Sequence, residues 1–338
     1  MVLRYNVCSF FYGFFMSDKH VVSLGVSYNT ANEDDEGQRL DNYLARVLKG
    51  VPRSMLYRIL RRGEVRVNKG RVSPSYKLKA GDVIRIPPVT VTEGPVTIPS
   101  SNLHLVQDLK DRILFENEDL LVVNKPAGLA AHGGSGIEFG LIESLRALKP
   151  EQRFLELAHR LDKETSGCLI VAKRRSALRN LHEQFRQRIV KKRYLTLVPG
   201  KWDRRVHLVD APLVRNELRS GERMVEVSFK NGAPSSTGYD VVEFLNGATL
   251  MAAMPHTGRT HQIRVHSAYV KHPVGGDEKY GDKDFNAFLK SIGLKRMFLH
   301  AFKITFINPA DGKMLKVEAP LPPELEHAVE ILRKKADE

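Results

Sequence analysis

Four prolines, Pro87, Pro88, Pro95 and Pro99, fall in a stretch rich in Ser, Thr and Gly that runs from Pro87 to about Asp111 and divides the 338-residue chain. Proline fixes φ and removes an amide donor, so neither a helix interior nor a central strand is expected to cross this stretch. Residues 87–111 therefore read as a linker with an independent fold on each side. The length suggests two or three domains, and 42% hydrophobic residues suffice to fill their cores. No run of eighteen apolar residues occurs, so no helix is expected to span a membrane.

Before the linker the chain is basic. Between Gly37 and Ile86 stand 13 Lys or Arg against Asp41, Glu64 and Asp82, so most of the net charge of +14 sits in this segment. Leu40, Tyr43, Leu44, Val47 and Leu48 recur at the spacing of a helix with one buried stripe. Pro52 is placed to open a second helix and Gly63 to close it. On that helix Arg53, Arg58, Arg61 and Arg62 surround Met55, Leu56, Ile59 and Leu60. A charge run is ordinarily a solvated face. Here the cations ride on an element with its own apolar period, and a folded anion-binding module is the better account. Val65-Arg66-Val67, the turn Asn68-Lys69-Gly70 with Arg71 after it, and Val83-Ile84-Arg85-Ile86 complete a unit spanning residues 37–86. This order resembles the alpha-L RNA-binding domain of a small-subunit ribosomal protein and several RNA-modifying enzymes. The resemblance implies that Arg53, Arg58, Arg61, Arg62, Lys69 and Arg71 contact RNA phosphates, which supply affinity and register rather than sequence reading.

Upstream, Phe10, Phe11, Phe14 and Phe15 look faintly like a signal-peptide core, but one Arg precedes them and no small-residue cleavage site follows. Residues 1–36 are expected to be a disordered extension, or translation starts at Met16. Cys8 and Cys168 make neither a disulfide framework nor a zinc site, which points to a reducing compartment, the cytoplasm.

After the linker, short apolar runs dominate. Residues 113–115, 120–124, 168–172, 194–198, 224–229, 239–244 and 248–254 read as strands, and 139–148 and 178–188 as helices. Strands outnumber helices without steady alternation. This argues an α+β fold with a largely antiparallel sheet over residues 112–322, followed by a C-terminal helix or tail at 323–338.

Within this part, His159-Arg160-Leu161-Asp162-Lys163-Glu164-Thr165-Ser166-Gly167 sets one carboxylate between a basic pair and a turn, just ahead of an apolar strand. A loop braced by a rigid element is how functional residues are usually supported. Taken alone, Asp162 with Thr165 three residues on reads as a turn or cap acceptor. Tyr194 alone reads as core, and Arg264 as half of a structural ion pair. His132-Gly133-Gly134-Ser135-Gly136 invites a phosphate-loop reading but lacks the Lys-Ser or Lys-Thr that such a loop needs. His256, His261 and His266 are five apart, which suits neither helical nor strand ligand spacing, and no metal is expected.

The motifs change weight when read together. The loop at Asp162, Asn124-Lys125-Pro126-Ala127-Gly128 before it, Lys191-Lys192-Arg193-Tyr194-Leu195 after it, the run Pro255 to His266, Gly276-Asp277-Glu278-Lys279-Tyr280-Gly281 and Phe298-Leu299-His300-Ala301 occur in the order of one family. The chain from Gly37 to Ala319 resembles the RluA-type pseudouridine synthases. That resemblance implies a mixed-sheet synthase domain and site-specific isomerisation of uridine to pseudouridine in large-subunit (23S) ribosomal RNA, at more than one uridine and without a cofactor. It implies that Asp162, Tyr194 and Arg264 are catalytic: Asp162 as nucleophile at C1′ or base at C2′, Tyr194 stacked on the uracil, Arg264 paired with Asp162. His159 and Arg160 would fill the space left by the extruded base. A monomer acting on free ribosomal RNA or an assembly intermediate is the expectation. Two rivals fit part of the pattern: a non-catalytic RNA-binding assembly factor, and a uridine glycosylase that releases uracil. The intact trio argues against the first.

Overall fold

The computed structural model describes residues 21–32, 35–48, 51–92, 104–133, 139–217 and 223–334. The chain separates into two units, Met1–Val96 and Thr97–Glu338. Cys8, Met16, Pro95, Pro99 and residues 134–136 of the Gly-rich turn lie outside the described residues. No helix among the described residues is long and apolar enough to cross a membrane.

The first unit holds β1 (Val21–Leu24), β2 (Ser27–Thr30), α1 (Leu40–Val47), α2 (Arg53–Arg61), β3 (Arg66–Val67), β4 (Val83–Ile86) and β5 (Val89–Thr92). Leu40, Tyr43, Leu44 and Leu48 bury the stripe that their spacing demands, against Leu56, Ile59 and Leu60 of α2. Burial of one face leaves the other to solvent, and Arg58, Arg61 and Arg62 are exposed on it, with Lys69 and Arg71 exposed beyond. Arg53 is the first residue of α2. Asn68 and Lys69 both take left-handed backbone (φ 49° and 67°), and Asn68 is fastened there by donating to Asp82 and accepting from the Val83 amide.

Two boundaries need correction. Strands β1 and β2 lie within the span expected to be a disordered extension, and β5 and the helix α3 (His104–Asp108) lie within the expected linker. Strand β2 joins the sheet by backbone bonds to β4 while its side chains stay mostly exposed, so it carries no apolar signal. Strand β5 follows two prolines, yet its β-branched Val-Thr alternation pairs with β1 over four positions.

The second unit continues with β6 (Ile113–Glu116), β7 (Leu120–Lys125), α4 (Leu141–Leu148), β8 (Glu156–Leu157), β9 (Ser166–Ala172), α5 (Arg175–Arg186) and β10 (Lys191–Pro199). Then come β11 (Leu208–Asp210), β12 (Leu213–Glu217), β13 (Arg223–Val227), β14 (Ser236–Leu245), β15 (Ala248–Pro255) and α6 (Gln262–Tyr269). The chain closes with α7 (Lys283–Ser291), β16 (Leu299–Ile307), β17 (Met314–Glu318) and α8 (Pro323–Lys334). Ten strands make one sheet, ordered β11-β14-β15-β10-β16-β9-β7-β6, with β17 beside β16 and β8 beside β9. Among the described residues only the β9–β16 pair is parallel, so the fold is α+β with a largely antiparallel mixed sheet.

Strand side chains alternate between faces, and the apolar runs divide accordingly. Leu121, Val123, Leu169 and Val171 join one core with Leu141, Ile142 and Leu145 of α4, while Leu120, Val122, Ile170 and Ala172 join the other with Ala177 and Leu181 of α5. Helix α8 is no tail: Leu325, Ala328, Val329 and Leu332 pack with Leu197, Leu250 and Phe298. Helix α6 gives no periodic signal in the sequence because its buried residues include Gln262, His266 and Ser267, which blurs any apolar stripe.

The parallel pair registers Ser166 with His300 and Gly167 with Ala301, directly after the Asp162 loop. Gly167 has φ +109°, and a Cβ there would lie 2.4 Å from the Ala301 carbonyl oxygen. Gly167→Ala is expected to cost about 2–5 kcal/mol from backbone strain plus overpacking, read as a lower denaturant midpoint. An unchanged midpoint would show that the two strands can separate at no cost.

Candidate active site

The loop carrying Asp162 is held from below by a buried lysine. Lys125, at the end of β7, donates its three ammonium hydrogens to the carbonyls of Pro126 (2.9 Å), Leu129 (2.8 Å) and Lys163 (3.0 Å). Burial pushes this amine down to about 7, while the three acceptors are matched to the ammonium form. The Gly128 amide also donates to Lys163, tying the Asn124–Gly128 turn to the same loop. From the other side Arg296 donates to Ser166 Oγ (2.8 Å), which lies 2.8 Å from His300 Nδ1. Burial takes His300 down to about 4, so it is a neutral member of this brace.

Asp162 faces a cavity of about 670 Å³ that Tyr194 and Arg264 also line, so the structure brings the expected trio together. Tyr194 sits where β10 loses register with β16, opposite two residues instead of one, an irregularity that re-aims a side chain. Its ring is nearly buried, and burial, then the Asp162 charge, raises its hydroxyl pKa above the ordinary value. Exposed Arg160, Arg186, Arg188 and Arg259 add positive charge around the opening, and Lys192 stands beside them with its amine pushed by burial to about 8. His159 lines the cavity as expected, but its Nε2 accepts from the Ile170 amide (3.1 Å) and its ring packs on Phe185. Burial drives His159 down to about 3, so it is a neutral anchor of the loop and not a free cation.

Arg264 departs from the expected pairing. Its Nε and Nη2 bond both oxygens of Asp277 at 2.6 and 2.7 Å, whereas Nη1 stands 3.7 Å from Asp162 Oδ2. The main partner is therefore Asp277, whose side chain is fully buried. Burial opposes ionisation of Asp277, but the Arg264 fork and the amides of Lys279 and Tyr280 outweigh it and hold the carboxyl below its ordinary value. Arg264 also lies over the Tyr280 ring, 4.9 Å from its centre. Asp277, Tyr280 and Lys125 stand within the ordered motifs, and the resemblance assigns none of them a role. The available signals are a lysine at the end of an apolar run and an aspartate in the glycine-bounded turn Gly276–Gly281.

The spacing of His261 in the sequence speaks only against metal binding. His261 caps α6 with left-handed backbone (φ 53°), and its Nε2 lies 3.9 Å from Asp162 Oδ2. The turn before it is stapled by buried Gln262, which accepts from Thr257 Oγ1 and the Arg259 amide and donates to the Ser236 carbonyl. His266 is buried against Thr237 and the Ala211 carbonyl.

The family model for RNA pseudouridylate synthases matches residues 119–269, and that for the S4 domain matches residues 38–84. The chain is 55% identical over 316 residues to "Ribosomal large subunit pseudouridine synthase C" of Pasteurella multocida, covering 94% of this chain and 97% of that protein. The protein of the same name from Escherichia coli is 54% identical over 302 residues, covering 89% and 94%. Among solved structures, "Human RNA Pseudouridylate Synthase Domain Containing 4" is similar with a TM-score of 0.56 and 27% identity, covering 68% of this chain and 95% of that one.

Proposed function

The chain belongs to the RNA pseudouridylate synthase family, and from that membership we propose that it isomerises specific uridines of large-subunit ribosomal RNA to pseudouridine with Asp162 as the reacting carboxylate. The observation that carries the reading is the half-buried carboxylate of Asp162 in a cavity shared with Tyr194 and Arg264 and ringed by arginines. Stacking hides C1′ in an RNA helix, so the uridine is extruded into the cavity and Arg160 takes up part of the vacated space. Asp162 then acts on the sugar, as a nucleophile at C1′ or a base at C2′. The N1–C1′ bond breaks, the uracil turns, C5 bonds to C1′, and the proton lost from C5 is balanced by one gained at N1. Tyr194 packs against the uracil face through this turn. The relatives' named target, the large ribosomal subunit, supports a cytoplasmic site of action.

The exposed cations of the first unit, Arg58, Arg61, Arg62, Lys69 and Arg71, together with Arg53, would bind RNA phosphates and raise the local concentration of substrate. Deleting residues 1–96 is expected to leave isomerisation intact at high RNA concentration while weakening RNA binding and flattening its salt dependence. Each unit has its own buried core, so the remainder folds. Unchanged affinity and salt slope would mean that the basic face only solvates the unit. The reading as a whole is tested by mapping pseudouridines in ribosomal RNA from a strain lacking the gene. Missing pseudouridines should return with the wild-type chain and not with Asp162→Asn. No missing pseudouridine, or loss of base mass, would overturn it in favour of an assembly factor or a glycosylase.

A further inference from the structure

We propose that His261 is a positioning residue for the isomerisation, holding an Nε2–H toward Asp162 Oδ2 through a tautomer imposed by Tyr280 and the Val225 amide. The proposal rests on the reading of Asp162 as the reacting carboxylate. Tyr280 Oη accepts from the Val225 amide at 3.0 Å and lies 2.8 Å from His261 Nδ1. With its oxygen already accepting, the phenol proton has Nδ1 as its acceptor, because a half-buried hydroxyl left without one is disfavoured. Nδ1 is then the accepting nitrogen and the imidazole proton resides on Nε2.

That nitrogen faces Asp162 Oδ2 at 3.9 Å, and Arg264 Nη1 faces the same oxygen at 3.7 Å. Two donors thus converge on Oδ2 and leave Oδ1 to the sugar. Both distances are one short closure from hydrogen bonds, and catalytic hydrogen bonds commonly tighten only when substrate is bound. The left-handed backbone of His261 is strain that a non-glycine residue carries at a cost, and the Gln262 staple maintains it. Burial favours the neutral imidazole: it lowers the His261 pKa, Asp162 opposes this, Arg264 and Lys279 add to it, and Asp277 opposes it. The Val225 amide belongs to the β12–β13 hairpin, whose Val225 and Leu213 pack on Val265 of α6, so the hairpin's seat sets the tautomer.

The test compares His261→Leu, His261→Gln and Tyr280→Phe in the full chain, with ¹⁵N NMR of the histidine rings. Glutamine places an amide N–H near the position of Nε2–H. His261→Leu is expected to lower the single-turnover rate about 10- to 100-fold with RNA affinity little changed, His261→Gln to recover most of it, and Tyr280→Phe to fall between. In the wild type the His261 signal should report Nε2–H, and in Tyr280→Phe it should shift toward a mixture. An Nδ1–H tautomer in the wild type, or a glutamine variant that is as slow as leucine while melting at the wild-type temperature, overturns the proposal. If the wild type itself makes no pseudouridine, the functional reading fails, and the NMR result still judges the tautomer.

Discussion

Asp162→Asn is expected to lower the single-turnover rate of pseudouridine formation by about 10⁴-fold or more, with RNA affinity within about three-fold of wild type. The amide is nearly isosteric, so the loop, braced by Lys125 and Ser166, keeps its shape. On the proposed mechanism, what is lost is the negative oxygen that attacks C1′ or removes a proton at C2′, and no second carboxylate among the described residues lines the cavity to replace it: Asp277 is fully buried and bound on both oxygens by Arg264. Affinity is expected to survive because the exposed arginines around the opening and in the first unit, proposed to meet the phosphates, are untouched. The measurement is product formed at saturating enzyme alongside filter-binding affinity. Turnover within ten-fold of wild type would remove Asp162 from the chemistry.

Arg264→Met is expected to cost about 3–5 kcal/mol of stability and nearly all activity, since it leaves the buried Asp277 carboxylate without its counterion. The pH dependence gives the sign. In the wild type Asp277 is held below its unfolded pKa, so its contribution is present above that value and lost only as pH falls through the folded one. In Arg264→Met burial remains while the fork is gone, so the folded pKa rises above the unfolded value of about 3.9. The folded protein then binds more protons than the unfolded chain across that window, and its stability falls as pH rises. The variant should therefore melt at higher temperature at pH 5.5 than at pH 7.5, a gain on acidification that the wild type does not show. Arg264→Lys keeps a charge but not the planar fork, so it should recover part of the stability and little of the activity. Parallel melting profiles for wild type and Arg264→Met would mean that Asp277 is compensated by its backbone amides alone.

Several features were legible because their information is local. The stripe of α1, the Pro52 to Gly63 limits of α2, and the apolar runs of β7, β9 and β15 each follow from neighbouring residues meeting one steric or hydrophobic requirement. Strand β2 leaves no mark in the sequence because it is held by backbone bonds, which any side chain permits. Helix α6 leaves none because a helix buried with polar residues has no clear apolar face.

The division between sequence and tertiary structure is sharpest at the site. By itself the sequence determined the two-part organisation, the α+β class of the second part, the basic face of the first, and the ordered motifs that carry Asp162, Tyr194 and Arg264. Each of those is contained in a contiguous run. Only the tertiary structure decided that Arg264 answers to Asp277, that Lys125 supports Lys163 from 38 residues away, and that the Val225 amide and the His261 ring meet at Tyr280, 55 residues from Val225. Partner choice for a buried polar group depends on which loops the packed sheet brings within about 3 Å, and that distance is a property of the whole fold and of no segment in it.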